Sequence, residues 1–396
     1  MRVLMLSWEY PPLLVGGLGR HVDALARGLV RAGHEVWVVT RGEKDEQVDE
    51  LVDGVRVRRA ALDPLAIDFT TESLLAWSQA SEHALIRAAL PLLRRIRPDV
   101  VHAHDWLVAQ TAITLAAAAH APLVATIHAT EAGRHQGWLP APLNRAIHSV
   151  ENWLANSADE VIACSQTSQR EAVRLFDLDA DAVHVVPNGV DLVRWRVPAR
   201  ARATARDRYA PGGPLVAFAG RLVHEKGVQT LLAALALLRR RNPGLRLAVA
   251  GTGPHEDELR AQARRRRVAR AVDWLGFVPE AQVATLLAAA DVAVVPSYYE
   301  PFGLVALEAV AAGTPVVVSD AGGLADLHRD GVAAASFPAG EPDALAAAID
   351  GVLRDPDRSR RAMRHAAGVL RTSYTWQAVA HTTAQVYAQA VATRRH

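Results

Sequence analysis

Cysteine is almost missing from this sequence of 396 residues, in which Cys164 is the single thiol. One cysteine cannot form an internal disulfide, so a disulfide-stapled secreted domain is excluded and a reducing compartment is indicated. Cys164 ends the apolar run 161–164, which is typical of a buried strand, and we interpret it as an inert core thiol. We therefore expect a cytoplasmic protein.

Long hydrophobic runs are also lacking, since no stretch approaches the roughly 20 apolar residues that a membrane-spanning helix needs. Residues 1–12 contain no small-residue cleavage site, and we interpret them as a first strand and its loop rather than a signal peptide. No membrane span is expected. Peripheral contact through the four arginines 264–267 stays open, although a solvated helix end is the simpler interpretation.

A strong charge of either sign is absent, because the formal net charge is only +2 over the whole chain. Nucleic-acid binding therefore has no electrostatic support, and no nucleic-acid partner is expected. What the sequence does contain is an ordinary globular composition, 50% hydrophobic and 22% charged. Its length exceeds one ordinary core, so two domains of about 190 residues each are predicted.

Short apolar strands alternate with helical segments along the chain, which predicts an α/β fold with doubly wound parallel sheets. The alternation restarts near strand 215–219, after a stretch rich in Pro, Ala and Arg (198–213) that we interpret as a linker. We predict an N-terminal acceptor-binding domain over 1–195 and a C-terminal nucleotide-sugar domain over 196–375. A last helix, 376–396, is expected to pack back on the first domain.

The most informative stretch is 298–313, YYEPFGLVALEAVAAG, which follows the buried strand 292–296. Its helix is apolar on nearly every side, yet Glu308 lies in the second turn and Glu300 in the preceding loop. A buried carboxylate costs several kcal/mol unless a partner offsets it, by a salt bridge or by a ligand. Because Gly303 also opens the helix at its anion-attracting N-terminus, we interpret the stretch as a binding site.

Two cations follow strand 215–219 in the loop GRLVHEKG. Arg221 offers a planar fork to oxygen atoms, and Lys226 offers a mobile point charge. Five residues apart around one loop, they can approach a diphosphate from two directions. The competing interpretation is a pair of surface cations.

The first loop, predicted over 8–19, contains Gly16, Gly17 and Gly19 after a strand and before a helix. Such a loop lets backbone N–H groups approach an anionic or sugar ligand closely. A NAD fingerprint is disfavoured because residues 8–15 separate the glycines from the strand and the GxGxxG spacing is missing.

Polar side chains follow two strands of the first domain, at HAHDW (102–106) and TIH (126–128). Asp105 and His128 each stand at the carboxyl end of a strand, where α/β sheets bind ligands. A metal at this point is disfavoured, since the sequence shows no clear third and fourth ligand. The acidic triplet Asp177, Asp179 and Asp181 is interpreted as a solvated turn.

Together these pieces resemble family 4 glycosyltransferases of the GT-B fold. The matching motifs are SWEYPP, GGLGRH, HAHDW, TIH, VPNGVD, GRLVHEKG and EPFGLVALE, and they span nearly the whole chain in order. The resemblance implies two Rossmann-like domains facing a central cleft. Within the family, SWEYPP and TIHATEAGR are similar to glycogen synthases and most similar to actinobacterial α-1,4-glucosyltransferases of glycogen and methylglucose lipopolysaccharide synthesis.

The resemblance also implies roles for individual residues. Arg221 and Lys226 match the groups that neutralise the diphosphate, Glu308 matches the ribose ligand, and Glu300 matches the carboxylate near the donor sugar. Further implied positions are His128 at the sugar, Asp105 towards the acceptor, and Gly17, Val278, Phe302, Gly303, Leu304 and Val305 around the donor. Leu14 departs from glycogen synthases, which carry a Lys there, and this argues against strict ADP-glucose specificity.

The implied activity is retaining transfer of glucose from UDP- or ADP-glucose to an α-1,4-glucan, with no metal and no cofactor beyond the donor substrate. Three alternatives stay open at this point. The chain could transfer a hexose to a lipid, a small molecule or a sugar phosphate, or act as a UDP-sugar epimerase of the same fold. It could also be a non-catalytic sensor of sugar nucleotides.

Overall fold

The computed structural model describes residues 1–14, 16–43, 47–63 and 65–394. Contacts divide the chain into two compact units. The N-terminal unit contains Met1–Asn188 and the last helix, and the C-terminal unit contains Gly189–Thr375. Residues 395 and 396, the end of the predicted last helix, lie outside the described residues. None of the described helices is both long and apolar enough to cross a membrane.

The N-terminal unit is a sheet with helices on both faces. Its strands are β1 (Arg2–Ser7), β2 (Glu35–Arg41), β3 (Val48–Val52), β4 (Val55–Ala60), β5 (Val100–His104), β6 (Leu123–Ile127), β7 (Glu160–Ala163) and β8 (Val183–Val185). Its helices are α1 (Gly17–Arg31), α2 (Leu74–Ile96), α3 (Ala109–Ala119), α4 (Glu131–Arg134), α5 (Pro142–Ser157), α6 (Gln166–Phe176) and, from the chain end, α15 (Trp376–Thr393).

Strand order in this sheet is β3-β4-β2-β1-β5-β6-β7-β8, and all neighbouring pairs are parallel except the hairpin β3–β4. β1 and β5 are buried along nearly their whole length, because helices cover both faces of a parallel sheet. β2 and β5 lie on opposite sides of β1, so the chain direction across the sheet reverses there. The reversal opens a crevice at the carboxyl ends of β1 and β5.

The last helix, α15, completes the core of the N-terminal unit. Val379, Val386 and Tyr387 of α15 pack with α1 residues such as Val22 and Leu29 in one buried cluster. Where the two helices cross, a Cβ on Gly28 would lie 3.0 Å from the backbone oxygen of Trp376, so glycine favours this close approach.

The C-terminal unit is a second sheet with helices on both faces. Its strands are β9 (Leu215–Ala219), β10 (Arg246–Ala250), β11 (Val272–Gly276), β12 (Val292–Val295), β13 (Val316–Ser319) and β14 (Ala335–Phe337). Its helices are α7 (Ala199–Tyr209), α8 (Val228–Arg241), α9 (Glu256–Arg265), α10 (Glu280–Ala289), α11 (Leu304–Ala311), α12 (Gly323–Arg329), α13 (Pro342–Arg354) and α14 (Pro356–Ser373).

This sheet has the order β11-β10-β9-β12-β13-β14 with every pair parallel. Counted from β9, the order is 3-2-1-4-5-6, that of a dinucleotide-binding sheet, with the reversal between β9 and β12. Two parallel-sheet units therefore confirm the predicted α/β class.

Three local predictions were wrong. The stretch 198–213 is not a linker, because Ala and Arg favour the helix α7, which buries Ala205 and is fixed by a hydrogen bond from Arg206 Nη1 to the Ala289 carbonyl (3.2 Å). The helix α14 was missed, since it buries only Ala366 and Leu370 and its sequence is mostly polar and charged. Finally, α1 begins at Gly17, so Gly17 and Gly19 are helical.

Candidate functional site

The first group of predicted site residues lies at the β9–β12 reversal of the C-terminal unit. Arg221 and Lys226 follow β9, and Glu300 follows β12. The Lys226 Nζ and Glu300 Oε2 atoms are 2.7 Å apart, with the two side chains 22% and 15% exposed. Ser297 Oγ donates to the same carboxylate oxygen at 3.2 Å. The structure thus brings Lys226 and Glu300 together as a half-buried ion pair.

Backbone contacts fix the two loops that carry this pair. The Tyr298 N–H donates to the Glu225 carbonyl at 2.7 Å. Gly227 has a φ of +70°, and a Cβ on it would stand 1.8 Å from the Pro296 carbonyl oxygen. Only glycine permits so close an approach of two backbones, so Gly227 sets the spacing of the loops.

Arg221 lies on the same loop but is not part of this ion pair. Its guanidinium is 57% exposed and 3.7 Å from the Glu225 carboxylate, which keeps it on the turn that contains Lys226. An exposed pair at this distance contributes little stability. The guanidinium therefore stays accessible to an anionic ligand.

The helix α11 starts next to the Lys226–Glu300 pair. Its N-cap, Gly303, has a φ of +107°, and a Cβ there would lie 2.5 Å from Leu324 Cδ2. The first N–H groups of a helix have no intrahelical acceptor, so they can bind an anion together with the helix dipole. Leu304 and Val305, which form this first turn, are half-buried.

Two further predicted residues belong to the same segment. Phe302 is buried, and so is Glu308, which is 6% exposed. Glu308 is four residues after Leu304, so the two side chains share one face of α11. Val278 follows β11 and is half-buried. It lies at the same carboxyl edge of the sheet, but β10 separates β11 from β9.

The second group lies at the β1–β5 reversal of the N-terminal unit. The Gly16 N–H donates to Glu9 Oε2 at 2.9 Å, which fixes the loop that leads into α1. Gly17 is the first residue of α1 and is half-buried. A Cβ on Gly19 would come within 3.0 Å of Glu9 Cβ, so Gly19 serves packing of this loop against the helix.

A cluster of imidazoles lies beside this loop. His102 and His104 are fully buried and, being alternate residues of β5, share one face of the sheet. His102 is hydrogen-bonded at both ring nitrogens, to Tyr387 Oη (2.6 Å) and to Thr126 Oγ1 (2.7 Å), and is structural. His104 Nδ1 lies 3.2 Å from His128 Nε2, which follows β6.

Asp105 fixes the position of His128, because its Oδ1 accepts the His128 backbone N–H at 2.8 Å. Asp105 itself has a φ of +63°, a strained backbone for a residue other than glycine. Such strain persists where surrounding structure holds it, often at functional sites. The structure therefore brings Asp105 and His128 together, as their strand-end positions predicted.

Sequence reasoning missed His21. Its ring centroid is 4.6 Å from that of His128 and 5.5 Å from that of His104. One ring nitrogen from each of these three histidines lies within 4.8 Å of the others, which is the only cluster of possible metal ligands among the described residues. His21 stands four residues after Gly17 in GGLGRH, a spacing that places it on the same helix face.

Burial controls the protonation of this cluster. It lowers the pKa of His21, His102 and His104 well below the ordinary 6.5, and that of His128 to about 4. Burial also raises the pKa of Asp105 from 3.8 to about 7, opposed by the His128 N–H and the charge of Arg134. At neutral pH the imidazoles are uncharged, and Asp105 is partly protonated.

The predicted solvated turn of acidic residues is confirmed. Asp179 Oδ1 accepts the Asp181 N–H at 3.0 Å and caps the short 3-10 turn Ala180–Ala182. Asp177 ends α6 in a left-handed conformation. These carboxylates shape a surface loop.

Family models match both units of the chain. The model for glycosyltransferase family 4 matches residues 15–194, and the model for group 1 glycosyl transferases matches residues 202–368. Glycogen synthase of Mycobacterium tuberculosis is 46% identical over 98% of this chain and 94% of its own length. D-inositol 3-phosphate glycosyltransferase of Kineococcus radiotolerans is 36% identical over 99% of this chain and 96% of its own.

Solved structures agree with this assignment. Sucrose-phosphate synthase from Thermosynechococcus elongatus superposes with a TM-score of 0.82 at 25% identity, covering 99% of each chain. The family and the GT-B fold that the motifs predicted are thereby confirmed. Since a relative 46% identical covers nearly the whole length, the chain belongs to glycosyltransferase family 4.

Proposed function

We propose that this glycosyltransferase transfers glucose from UDP- or ADP-glucose to an α-1,4-glucan with retention of the anomeric configuration. The observation that carries the proposal is the Lys226–Glu300 ion pair at the β9–β12 reversal, beside the N-terminus of α11. The glucosyl donor and glucan acceptor are supported by the 46% identity to a glycogen synthase.

Breaking the bond between sugar and phosphate leaves negative charge on the departing diphosphate. Lys226, Arg221 and the first N–H groups of α11 supply positive charge on one edge of one sheet. Fixed charges of this kind stabilise a phosphoryl leaving group without reorganisation during the reaction. These cations take the place of a metal ion, and we propose that transfer needs none.

We assign the remaining donor contacts by position. Glu308 binds the ribose hydroxyls, Val278 contacts the base, and Phe302, Gly303, Leu304 and Val305 surround the phosphates and sugar. Glu300 contacts the glucosyl group once Lys226 turns to the diphosphate. The ion pair therefore keeps both side chains in place before the donor binds.

In the N-terminal unit we assign His128 to the transferred sugar, Gly17 to the donor and Asp105 to the acceptor side. His128 is uncharged at neutral pH because burial lowers its pKa to about 4, so it serves as a hydrogen-bonding group rather than a cation. No nucleophilic side chain is required if the diphosphate accepts the acceptor proton. The reducing environment indicated by a single buried thiol fits a cytoplasmic enzyme.

The test is transfer from a panel of nucleotide sugars to maltooligosaccharides, with and without EDTA. We expect glucan chains lengthened by α-1,4-linked glucose, identified by NMR of the product, at the same rate in EDTA. A β-linked product would overturn retention, and a rate that requires added metal would overturn the metal-free mechanism. Absence of any glucan product from every donor would overturn the glucan acceptor.

A second candidate is hexosyl transfer to a sugar phosphate or inositol phosphate, favoured by the 36% identity to a D-inositol 3-phosphate glycosyltransferase. Adding inositol 3-phosphate as an acceptor in the same panel distinguishes transfer to a glucan from transfer to inositol phosphate. Nucleotide sugars incubated alone separate the other classes, because an epimerase converts its donor, a transferase only hydrolyses it slowly, and a sensor does neither.

A further inference from the structure

We propose that His21, His104 and His128 form a binding site for a divalent transition metal such as Zn²⁺. Occupation of this site withdraws His128 from the sugar and so inhibits transfer, a consequence that rests on the proposed function. The binding site itself does not depend on that function.

The geometry is close to what zinc requires. Tetrahedral Zn²⁺ binds imidazole nitrogens at about 2.0–2.1 Å, which places two such ligands about 3.3 Å apart. His104 Nδ1 and His128 Nε2 are 3.2 Å apart, and one ring nitrogen from each of His21, His104 and His128 lies within 4.8 Å of the other two. A shift of the His21 ring by up to about 1.5 Å would therefore complete a three-nitrogen face, with water in the fourth position.

The ring nitrogens of His21 are an independent sign of a missing ligand. His21 is only 5% exposed, and among the described residues neither of its ring nitrogens makes a hydrogen bond of good geometry, although the Asn188 side chain lies near enough to raise its pKa. A buried polar atom without a partner costs about 1–3 kcal/mol, so this cluster is stabilised by whatever binds its lone pairs.

The neighbouring His102 shows that such a cost is avoidable in this core. Both of its ring nitrogens are hydrogen-bonded, although it is as deeply buried as His104. This hydrogen bonding distinguishes the structural His102 from His21, His104 and His128, whose ring nitrogens converge. Burial keeps all of them unprotonated, which is the form that binds a metal.

The charge of the ion has compensation nearby. Asp105 holds the His128 backbone, and the charge of Glu9 is close enough to raise the Asp105 pKa. Asp105 thus contacts the backbone of one ligand residue, and Glu9 lies near Asp105. When the metal binds, it exchanges water ligands for three nitrogens, and the proton shared by His104 and His128 moves to the other nitrogen of its own ring.

Direct binding is the first test. The full-length protein is stripped with EDTA, freed of chelator and titrated with ZnCl₂ by calorimetry. We expect one tight site, which His21→Gln and His104→Gln weaken by more than about 100-fold, since loss of even an outer-shell partner costs about 10–100-fold. Matched controls are His34→Gln, next to the α-amino group at 3.3 Å, and His381→Gln on α15. Both should leave the affinity unchanged.

X-ray absorption of the wild-type zinc complex gives a test that needs no variant, in case a buried substitution prevents folding. The expected signal is four nitrogen or oxygen neighbours at about 2.0–2.1 Å, three of them from imidazole rings, and no sulfur. Absence of a tight site, binding that survives His21→Gln in a folded variant, or a sulfur ligand would each overturn the proposal.

Inhibition is measured separately in the transfer assay. We expect the rate to fall in proportion to zinc occupancy and to recover with EDTA. A rate unaffected at full occupancy would overturn the withdrawal of His128 while leaving the site. If no transfer is found before metal is added, the proposed function fails and the calorimetric result still decides the site.

Discussion

Lys226 is chemically unusual for this chain, because only Lys226 and Lys44 are lysines among its 44 basic residues. Arginine serves at every other basic position. A compact ammonium and a planar guanidinium are not interchangeable where a single point charge must fit. The Lys226 ammonium lies 2.7 Å from Glu300, and we expect the bulkier guanidinium of an arginine to fit this position poorly.

We predict that Lys226→Ala and Glu300→Ala each abolish transfer with the fold intact, and that Lys226→Arg loses most of it. Removal of one preorganised group that stabilises charge in the transition state costs roughly 10²–10³ in rate. The measurements are kcat with the donor that the nucleotide-sugar panel identifies, and circular dichroism to check the fold. Arg240→Ala removes an exposed cation of α8 and should keep the wild-type rate. Near-normal turnover in a Lys226 or Glu300 variant would exclude that residue from the site.

Glu308→Gln should raise the donor KM by about tenfold with a smaller effect on kcat. The buried carboxylate accepts hydrogen bonds from hydroxyls in our assignment, and a charged hydrogen bond contributes about 1.5–3 kcal/mol. Steady-state kinetics with varied donor concentration measures the effects on KM and kcat separately. The control Glu258→Gln changes a 71% exposed carboxylate on α9. An unchanged KM in the Glu308 variant would contradict the ribose assignment.

Asp105→Asn should alter how stability depends on pH. The native carboxyl keeps its proton up to about pH 7, whereas the unfolded chain releases it near pH 4. Between these values the native state binds more protons, so this group makes the free energy of unfolding fall as pH rises, by an order of a few kcal/mol. Asparagine does not titrate, so in Asp105→Asn this group causes no fall in the free energy of unfolding as pH rises.

Urea unfolding of the wild type and Asp105→Asn at pH 5 and pH 8 measures the difference. Asparagine preserves the acceptor for the His128 N–H, so the hydrogen bond is matched in the two proteins. We expect the variant to gain stability relative to the wild type at pH 8. An identical difference at both pH values would show that Asp105 titrates normally.

At the scale of elements, the close contact between the β9 and β12 loops depends on Gly227. Gly227→Ala should destabilise the C-terminal unit by about 3 kcal/mol or more, because the new Cβ would stand 1.8 Å from the Pro296 oxygen. Gly313→Ala is the matched control. It also has a positive φ (+91°) but meets nothing within 4 Å, so it should cost only about 1–2 kcal/mol.

Thermal unfolding compares the stabilities of the two glycine variants. Transfer activity is then measured for each variant that is folded. Since the contact positions Lys226 against Glu300, we expect Gly227→Ala to lose activity and Gly313→Ala to keep it. Equal stability losses in the two proteins would mean that backbone strain alone, rather than the approach of the loops, explains the glycine.

At the scale of the whole molecule, the N-terminal core requires a helix from the far end of the chain. Val379, Val386 and Tyr387 of α15 are buried in that core, and Tyr387 Oη is 2.6 Å from His102. Burial of such side chains contributes about 1.5–3 kcal/mol each. Their sum is comparable with the whole stability of a domain, about 5–15 kcal/mol.

Deletion of residues 376–396 should therefore unfold the N-terminal unit and leave the C-terminal unit folded. Scanning calorimetry is expected to lose one transition and retain the other, because each unit has its own core. Gln389→Ala, an exposed change on the same helix, is the control. Retention of both transitions in the deleted chain would contradict the role of α15.

Much of the fold and site could be predicted from local patterns. Apolar strands bounded by turns gave the two α/β sheets, and polar residues at strand ends identified Asp105, His128, Arg221 and Glu300. The prediction was wrong in regions that lack such a pattern. The helices α7 and α14 bury so little apolar surface that their sequences resemble loops.

The sequence by itself determined the class of each sheet and the chemical types available at its edge, because hydrophobic periodicity and strand-end position are local properties. Only the tertiary structure decided which of those groups meet. His21, His104 and His128 come from α1, β5 and the end of β6, and Lys226 and Glu300 are 74 residues apart. Strand order places these side chains within bonding distance, and strand order is set by packing between segments that are remote in the chain.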